Sequence, residues 1–473
     1  MALSLPKTLP TAQLIALAAA LASFALVLFA PLVFNDADTY WHIAAGRWML
    51  ENQAVLRIDP FSYTFAGHPW QTQEWLAEIV MALAYIGLGW NGIALLFAFA
   101  AALTMGLLGR HLARWLGGVS LIAALILSFE CVAISLVARP HLLALPLLEM
   151  WTAGLLIARE EGRAPSWKLL PLMLLWTNLH ASFVIGLLLI VPFALEAVQE
   201  QSLKGARRWG QFFALALLVS MISPHGVYGL IFPFKLMAMP SLELISEWEP
   251  TNFQSLEPVA LGIAVAVALY VLLSRGVQVK PLRVAVLLAF LFLALIHVRH
   301  QMLIAIIGPL ILAEPLARAL REAPSNREPR RSLAAGLGFA LLLAALTGLR
   351  LWLPIVRTDS WTTPGAALAA VPASIVHAPV LNEYAFGGYL IFNDLRPFID
   401  GRAELYGNRF LARYGRIILP DKPLLEATLD KYDVRWTILA PGNPAAGVMD
   451  SLAGWHRLYA DRWAVVHVKD GAP

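Results

Sequence analysis

Cysteine is almost absent from this 473-residue chain: Cys131 is the single one, and it lies within an apolar run. One thiol makes neither a disulfide framework nor a Cys-rich metal site, so neither holds the fold. Charge is scarce too, at 14% of residues against 59% hydrophobic, with mean hydropathy +0.67. That balance excludes an ordinary soluble domain and indicates a polytopic membrane protein. The formal net charge of +4 reflects Lys and Arg between apolar runs and is no signal for nucleic acid. Internal repeats and low-complexity tracts are missing as well.

What is present is a series of apolar runs long enough to cross a bilayer of roughly 30 Å. They occupy residues 11–33, 91–109, 118–136, 141–158, 257–274, 281–297, 301–317 and 333–353. Residues 168–196 supply two shorter helices broken at WTNLHAS, and 210–223 one more. Lys7, Arg110, Arg114, Arg159, Arg163, Lys168, Lys204, Arg207, Arg208, Arg275, Lys280, Arg283 and the run from Arg318 to Arg331 fall in alternate loops. Positive loops stay cytoplasmic, which gives about eleven crossings with the N-terminus inside and the C-terminus outside. No small-residue cleavage site precedes Asn35, so the first run is read as a retained helix.

The expected fold class is therefore a polytopic α-helical membrane protein with a small C-terminal α/β outer domain. Residues 1–354 form the membrane part, with a first outer loop at 35–90 that carries interfacial helices, and 355–473 form a soluble periplasmic domain. In the latter, PVLNEY, RPFIDGR, VRWTILA, WHRLYA and WAVVHVK read as strands, and ELYGNRFLARYGRII and PLLEATLDKY as helices. It has no phosphate loop, no GxSxG and no zinc spacing, and independent catalysis there is not expected. Asn382, Glu383, Tyr384, Asp400, Arg402 and Glu404 suit either acceptor docking or a lid, and Asp400 with Arg402 equally suits a structural turn.

Polar chemistry gathers on one side of this topology. His42, His68, His141, His180, His225, His297 and His300 fall at outer helix ends or in outer loops, and His111 falls inside. Ionisable groups at such lips tend to face a cavity, which implies a polar chamber open to the outer face. The stretch NDADTYWHIAAGR stands at its rim. In an extended segment Asp36 and Asp38 point the same way, so they can share a proton or bind one divalent cation, Mg or Mn. Asp59, Glu74, Glu78, Glu130, Glu247 and Glu249 are further outer acids, and Arg139, Lys235 and Arg299 the cations. Arginine forks match phosphate oxygens, so carboxylates on one wall and Arg with His on another suit an anionic lipid phosphate beside a hydroxyl acceptor.

This arrangement resembles the GT-C glycosyltransferases, which move a sugar from a polyprenyl-phosphate-linked donor at the outer membrane face. Set on Met49, the first-loop register of the aminoarabinose and O-mannosyl branches puts Asp38 at the motif aspartate and Arg47 at the motif arginine, while Thr39 and His42 depart from it. No WWDxG signature of oligosaccharyltransferases is present. The chain is also similar to a broad set of bacterial multi-pass proteins with the patterns DxDTxWH, DPFSYT, EWLxE, ARPH, WxNxHxSFxxG, HxRH and EYAFGGYLIF with FIDGRAELYG. The resemblance implies Asp36 or Asp38 as the base or a metal ligand, and Arg139, His141, Arg299 and His300 on the donor phosphate. Trp41, His42, Glu74, His180 and Trp248, on the outer side, are the candidates to contact the sugar or a lipid, glycan or protein acceptor. Rival readings are a transporter or flippase of lipid-linked glycans, a metal-independent polymerase or ligase, and a membrane scaffold.

Overall fold

The computed structural model describes residues 11–200, 203–254, 259–322 and 332–471. Lys7 and the polar loop at 323–331, both used in the charge argument, lie outside the described residues. Helices stand at all the apolar runs: α1 (Thr11–Phe29), α3 (Trp75–Leu112), α4 (Gly118–Ala133), α5 (Pro140–Glu160), α6 (Leu170–Leu179), α7 (Phe183–Glu200), α8 (Leu203–Ser220), α10 (Val259–Ser274), α11 (Pro281–Ile296), α12 (Gln301–Ala319) and α13 (Leu333–Trp352). Two more, α2 (Asp38–Asn52) and α9 (Val227–Met237), were not legible as spans. Among the described residues, six helices are long and apolar enough to cross a membrane. Several present bare apolar surface, with Leu273 84% and Leu333 79% exposed, which a chain tolerates where lipid covers it. This is an integral membrane protein.

Breaks in these helices follow from particular residues. Gly89 takes a positive φ of 58° inside α3 and separates its first turns from the long apolar span. Between α6 and α7, His180 is extended, and its ring Nδ1 accepts the Ser182 backbone N–H at 3.1 Å. At the helix ends remote from α2, Lys280 and Arg283 bind Glu196 at 2.7 and 3.1 Å, joining α11 to α7.

The C-terminal part is built from α14 (Gly365–Ala369), α15 (Gly387–Phe392), α16 (Ala403–Ile417), α17 (Lys422–Lys431), α18 (Pro444–Met449) and four strands. These are β1 (Val380–Asn382), β2 (Trp436–Leu439), β3 (Trp455–Ala460) and β4 (Val465–Lys469) in the order β1-β2-β4-β3, with β1 parallel to β2 and the other pairs antiparallel. The expected strand RPFIDGR is a correction: it is a loop. Pro397 has no N–H to give a ladder, and the Asn382 side chain serves the backbone instead, accepting from Phe398 N and donating to the Ile399 carbonyl, both at 2.8 Å.

The C-terminal part shares a core with the first loop. Leu381, Ile391, Phe398, Ile399 and Tyr406 pack in one cluster with Trp41, Ala44, Met49, Leu56 and Trp70. Helix α2 is consequently buried over most of its length, between α3 and α15. At Gly46 a Cβ would fall 2.0 Å from the Glu78 carbonyl oxygen, so only glycine lets α2 approach α3 this closely.

Candidate functional site

Asp36 and Asp38 meet, but not as neighbours on an extended segment. The chain turns at Pro31–Phe34 and begins α2 at Asp38, and Asp36 Oδ2 accepts the Thr39 N–H at 2.8 Å, the bond an aspartate makes at a helix start. Thr39 Oγ1 lies 2.8 Å from Asp36 Oδ2 and 3.0 Å from the Ala138 carbonyl, tying this turn to the residues before α5. There Arg139 precedes Pro140, whose ring forces it into extended backbone (φ −124°, ψ 158°) while Pro140 opens the helix.

Arg139 gathers both aspartates. Its Nε donates to Asp36 Oδ1 at 2.7 Å, its Nη1 lies 3.0 Å from Asp38 Oδ2, and the same nitrogen pairs with Glu247. Burial pushes Asp36 toward the protonated form, but Arg139 and the Thr39 hydrogen bonds outweigh it and hold the carboxyl below its usual range. For Asp38, burial together with repulsion from Asp36 and Glu247 outweighs Arg139, and its pKa is raised. Asp36 is 2% exposed and Asp38 16%. One arginine thus holds two aspartates of opposite character.

A second cluster adjoins the first. His42 Nδ1 lies 3.3 Å from Glu78 Oε1 and its Nε2 3.8 Å from Glu74 Oε2, while His180 Nε2 lies 3.1 Å from Glu74 Oε1. Since His180 Nδ1 accepts from Ser182 N, its Nε2 is the protonated nitrogen and donates to Glu74. Burial raises the Glu74 pKa to about 7. His42 is raised because Glu78, Glu74 and Asp38 overcome the effect of burial, and His180 is lowered by burial and by neighbouring cations. Trp41 lies over His42 with ring centroids 3.6 Å apart, its Nε1 buried without a partner.

The third group stands beside Glu247. Arg299 Nη1 lies 3.6 Å from Glu247 Oε2 and its guanidinium 4.6 Å from the Trp248 ring centre. His300 is edge-on to Trp248 at 6.0 Å, with Nδ1 unpartnered. His141 Nε2 is bound to the Ser135 carbonyl at 2.8 Å, and its ring lies 6.2 Å from that of His180.

Several expectations need correction. Acids and cations interleave instead of facing one another across a chamber: Arg139 and Arg299 both stand against carboxylates. The position a divalent cation would take between Asp36 and Asp38 is filled by the Arg139 guanidinium, and the described residues include no cluster of three or more metal-ligating side chains. A metal does not fit there. Arg139 pairs with Asp36, Asp38 and Glu247, and Glu130 is exposed. Arg47 lies apart, 3.5 Å from Asp394 and against Phe392. A cavity of about 510 Å³ beside Trp75 and Asn178 is lined mostly by apolar groups such as Leu76, Leu174, Leu175 and Ile222.

Gly401 had no signal in the sequence, and Tyr384, a candidate for docking or a lid, stands beside Asp38. Gly401 sits so close that a Cβ would fall 1.8 Å from Asp38 Oδ1, and Tyr384, buried among Asp38, Asp400 and Glu404, has its pKa raised by burial and by those acids. Asp400 and Arg402 are structural: Arg402 donates to Asp400 and Asp59 at 2.7 Å and all three side chains are fully buried. Glu404 accepts from Trp70 Nε1 at 2.8 Å, and Glu383 from Asn443 at 2.7 Å.

No family model and no curated protein matches the chain. Among solved structures, the apo form of the Archaeoglobus fulgidus oligosaccharyltransferase is similar at TM-score 0.33 and 12% identity, over 90% of this chain and 69% of that one. A likeness of that degree carries no activity from one chain to the other.

Proposed function

We propose that the protein is an inverting glycosyltransferase of the GT-C type, moving a sugar from a polyprenyl-phosphate-linked donor to an acceptor hydroxyl at the outer membrane face. The observation that carries this reading is the unequal aspartate pair on Arg139: Asp36 held ionised and enclosed, Asp38 partly exposed with raised proton affinity. A raised carboxylate pKa suits a general base, because the group takes a proton more readily. Asp38 Oδ2 is the base in this reading and Asp36 the anchor of Arg139.

The acceptor hydroxyl oxygen attacks the anomeric carbon as the bond from that carbon to the phosphate oxygen breaks. The hydroxyl proton passes to Asp38, and the polyprenyl phosphate leaves with the bonding pair. Arg139 and Arg299 stabilise the charge on the leaving phosphate. His42, Glu74, His180 and Trp41 hold sugar or acceptor hydroxyls, and residues 355–473 act as a fixed cap whose Gly401 borders the base. No step is routed through a metal.

The test is sugar transfer by purified protein in lipid, offered a panel of polyprenyl-phosphate sugars. Asp38→Asn should lose about 10²- to 10⁴-fold in rate, with thermal stability retained. Full activity in Asp38→Asn removes the assignment of the base, and no transfer from any donor removes the transferase reading.

A further inference from the structure

Glu247 touches both arginines assigned here to the donor phosphate. It comes from the short turn Ser246–Trp248 between α9 and α10. One carboxylate oxygen pairs with Arg139 Nη1, and the other lies 3.6 Å from Arg299 Nη1. A single oxyanion spanning two guanidinium groups is the arrangement a phosphate makes with an arginine pair. Glu247 also brings Arg139 to three carboxylates, more negative charge than one guanidinium neutralises. Asp36 is fixed by Thr39, and Asp38 begins a buried helix against Gly401. Glu247, its side chain 30% exposed, is the member of the three held at the site's edge.

The backbone around Glu247 is anchored independently of that side chain. His297 Nδ1 donates to the Trp248 carbonyl at 2.7 Å, Val298 N donates to the Glu249 carbonyl at 3.1 Å, and the Trp248 ring lies under Arg299. Rotation of the Glu247 side chain alone frees one position on each arginine, and the turn stays where it is.

We propose that Glu247 is an internal carboxylate occupying the donor-phosphate subsite, displaced when a phosphate-bearing lipid enters, so that admission favours phosphorylated over neutral isoprenoids. The inference rests on the transferase reading in its use of Arg139 and Arg299. A neutral isoprenoid alcohol has nothing to offer the two arginines in exchange and leaves Glu247 in place. A phosphate carries at least as much charge and replaces both contacts.

The experiment is equilibrium binding of farnesyl phosphate, farnesol and inorganic phosphate to the full chain in zwitterionic lipid. The proteins compared are wild type, Glu247→Gln, Glu247→Asp, Arg299→Gln and, as a control, Glu249→Gln. Glu247→Gln should tighten farnesyl phosphate about tenfold or more, a modest gain for removing one competing charge, and leave farnesol unchanged. Inorganic phosphate should compete if the headgroup alone is recognised. Glu247→Asp, whose shorter side chain spans the arginines less well, should lie between, and it carries the comparison if the Gln variant does not fold. Unchanged or weaker farnesyl phosphate binding in both Glu247 variants, with wild-type binding that still depends on Arg299, overturns the proposal and leaves the transferase reading standing. No Arg299-dependent binding in any protein overturns both.

Discussion

Two arginines in this protein, Arg402 fully buried and Arg139 half-buried, each bind several carboxylates, and their surroundings are opposite in kind. Arg402 makes hydrogen bonds of 2.7 Å to Asp400 and Asp59, lies over Trp70, and has a Tyr406 hydroxyl completing Asp400 at 2.6 Å. Each guanidinium nitrogen has a carboxylate partner and none of the three charged side chains is exposed. Arg139 holds three carboxylates at 2%, 16% and 30% exposure, each with a different hold on it. A saturated, dry ion cluster fixes a structure, because removing any member leaves a buried charge alone. A partly exposed one at a rim, where charges can exchange partners, suits binding and proton transfer.

The comparison breaks most readily at Asp38, where Asn should cost about 10²- to 10⁴-fold in transfer with little change in Tm. Its counterpart is Arg402→Leu, which strands Asp59 and Asp400 in the interior. That variant should lose about 3 to 5 kcal/mol of stability, read as a large fall in Tm or in folded yield. A fully stable Arg402→Leu protein, or an Asp38→Asn protein that unfolds, would erase the distinction between the two arginines.

Gly401→Ala sits where the two regions touch. The added methyl would displace Asp38 from beside Gly401 while leaving the Arg402 cluster in place. A misplacement of about 1 Å can cost on the order of 10²-fold, so a rate loss of that order is expected with only a small Tm change. Normal activity would show that residues 355–473 do not set the position of Asp38.

The neighbouring Glu74 gives a pH-dependent effect. Burial raises its pKa from 4.5 to about 7, so the folded protein keeps a proton that the unfolded chain releases. Its burial therefore costs stability increasingly above about pH 4.5, and the cost is complete near 7. His42, also raised, acts in the same direction, since its stabilising charge is lost as pH rises through its folded pKa. Glu74→Gln should gain Tm relative to wild type between about pH 5 and 7 and then level off. A constant difference across that range would refute the raised pKa.

The smallest effect belongs to Arg47→Ala. Arg47 meets an Asp394 side chain that is 82% exposed, a contact worth about 1 kcal/mol or less. Transfer should change less than about twofold, and a large loss would return Arg47 to the site that the first-loop register implies.

Local chemistry and periodicity decide the elements of this chain without help from the fold. Apolar runs of bilayer length become helices in any lipid setting, and their positions, including the break at His180, follow from the sequence alone. Alternating residues at VRWTILA and WAVVHVK likewise become β2 and β4. The acids and cations of the site were visible as residue types at helix lips. Their partnerships were not, because Asp36 and Arg139 are 103 residues apart and Arg402 and Asp59 343 apart. At such separations only packing selects which carboxylate meets which guanidinium. Only packing put Arg139 where a divalent cation was one option, made Asp400 and Arg402 a structural pair, and brought Gly401 beside Asp38. The first two are the result of desolvation: a charge leaving water takes an opposite charge that the fold delivers, whatever its distance along the chain.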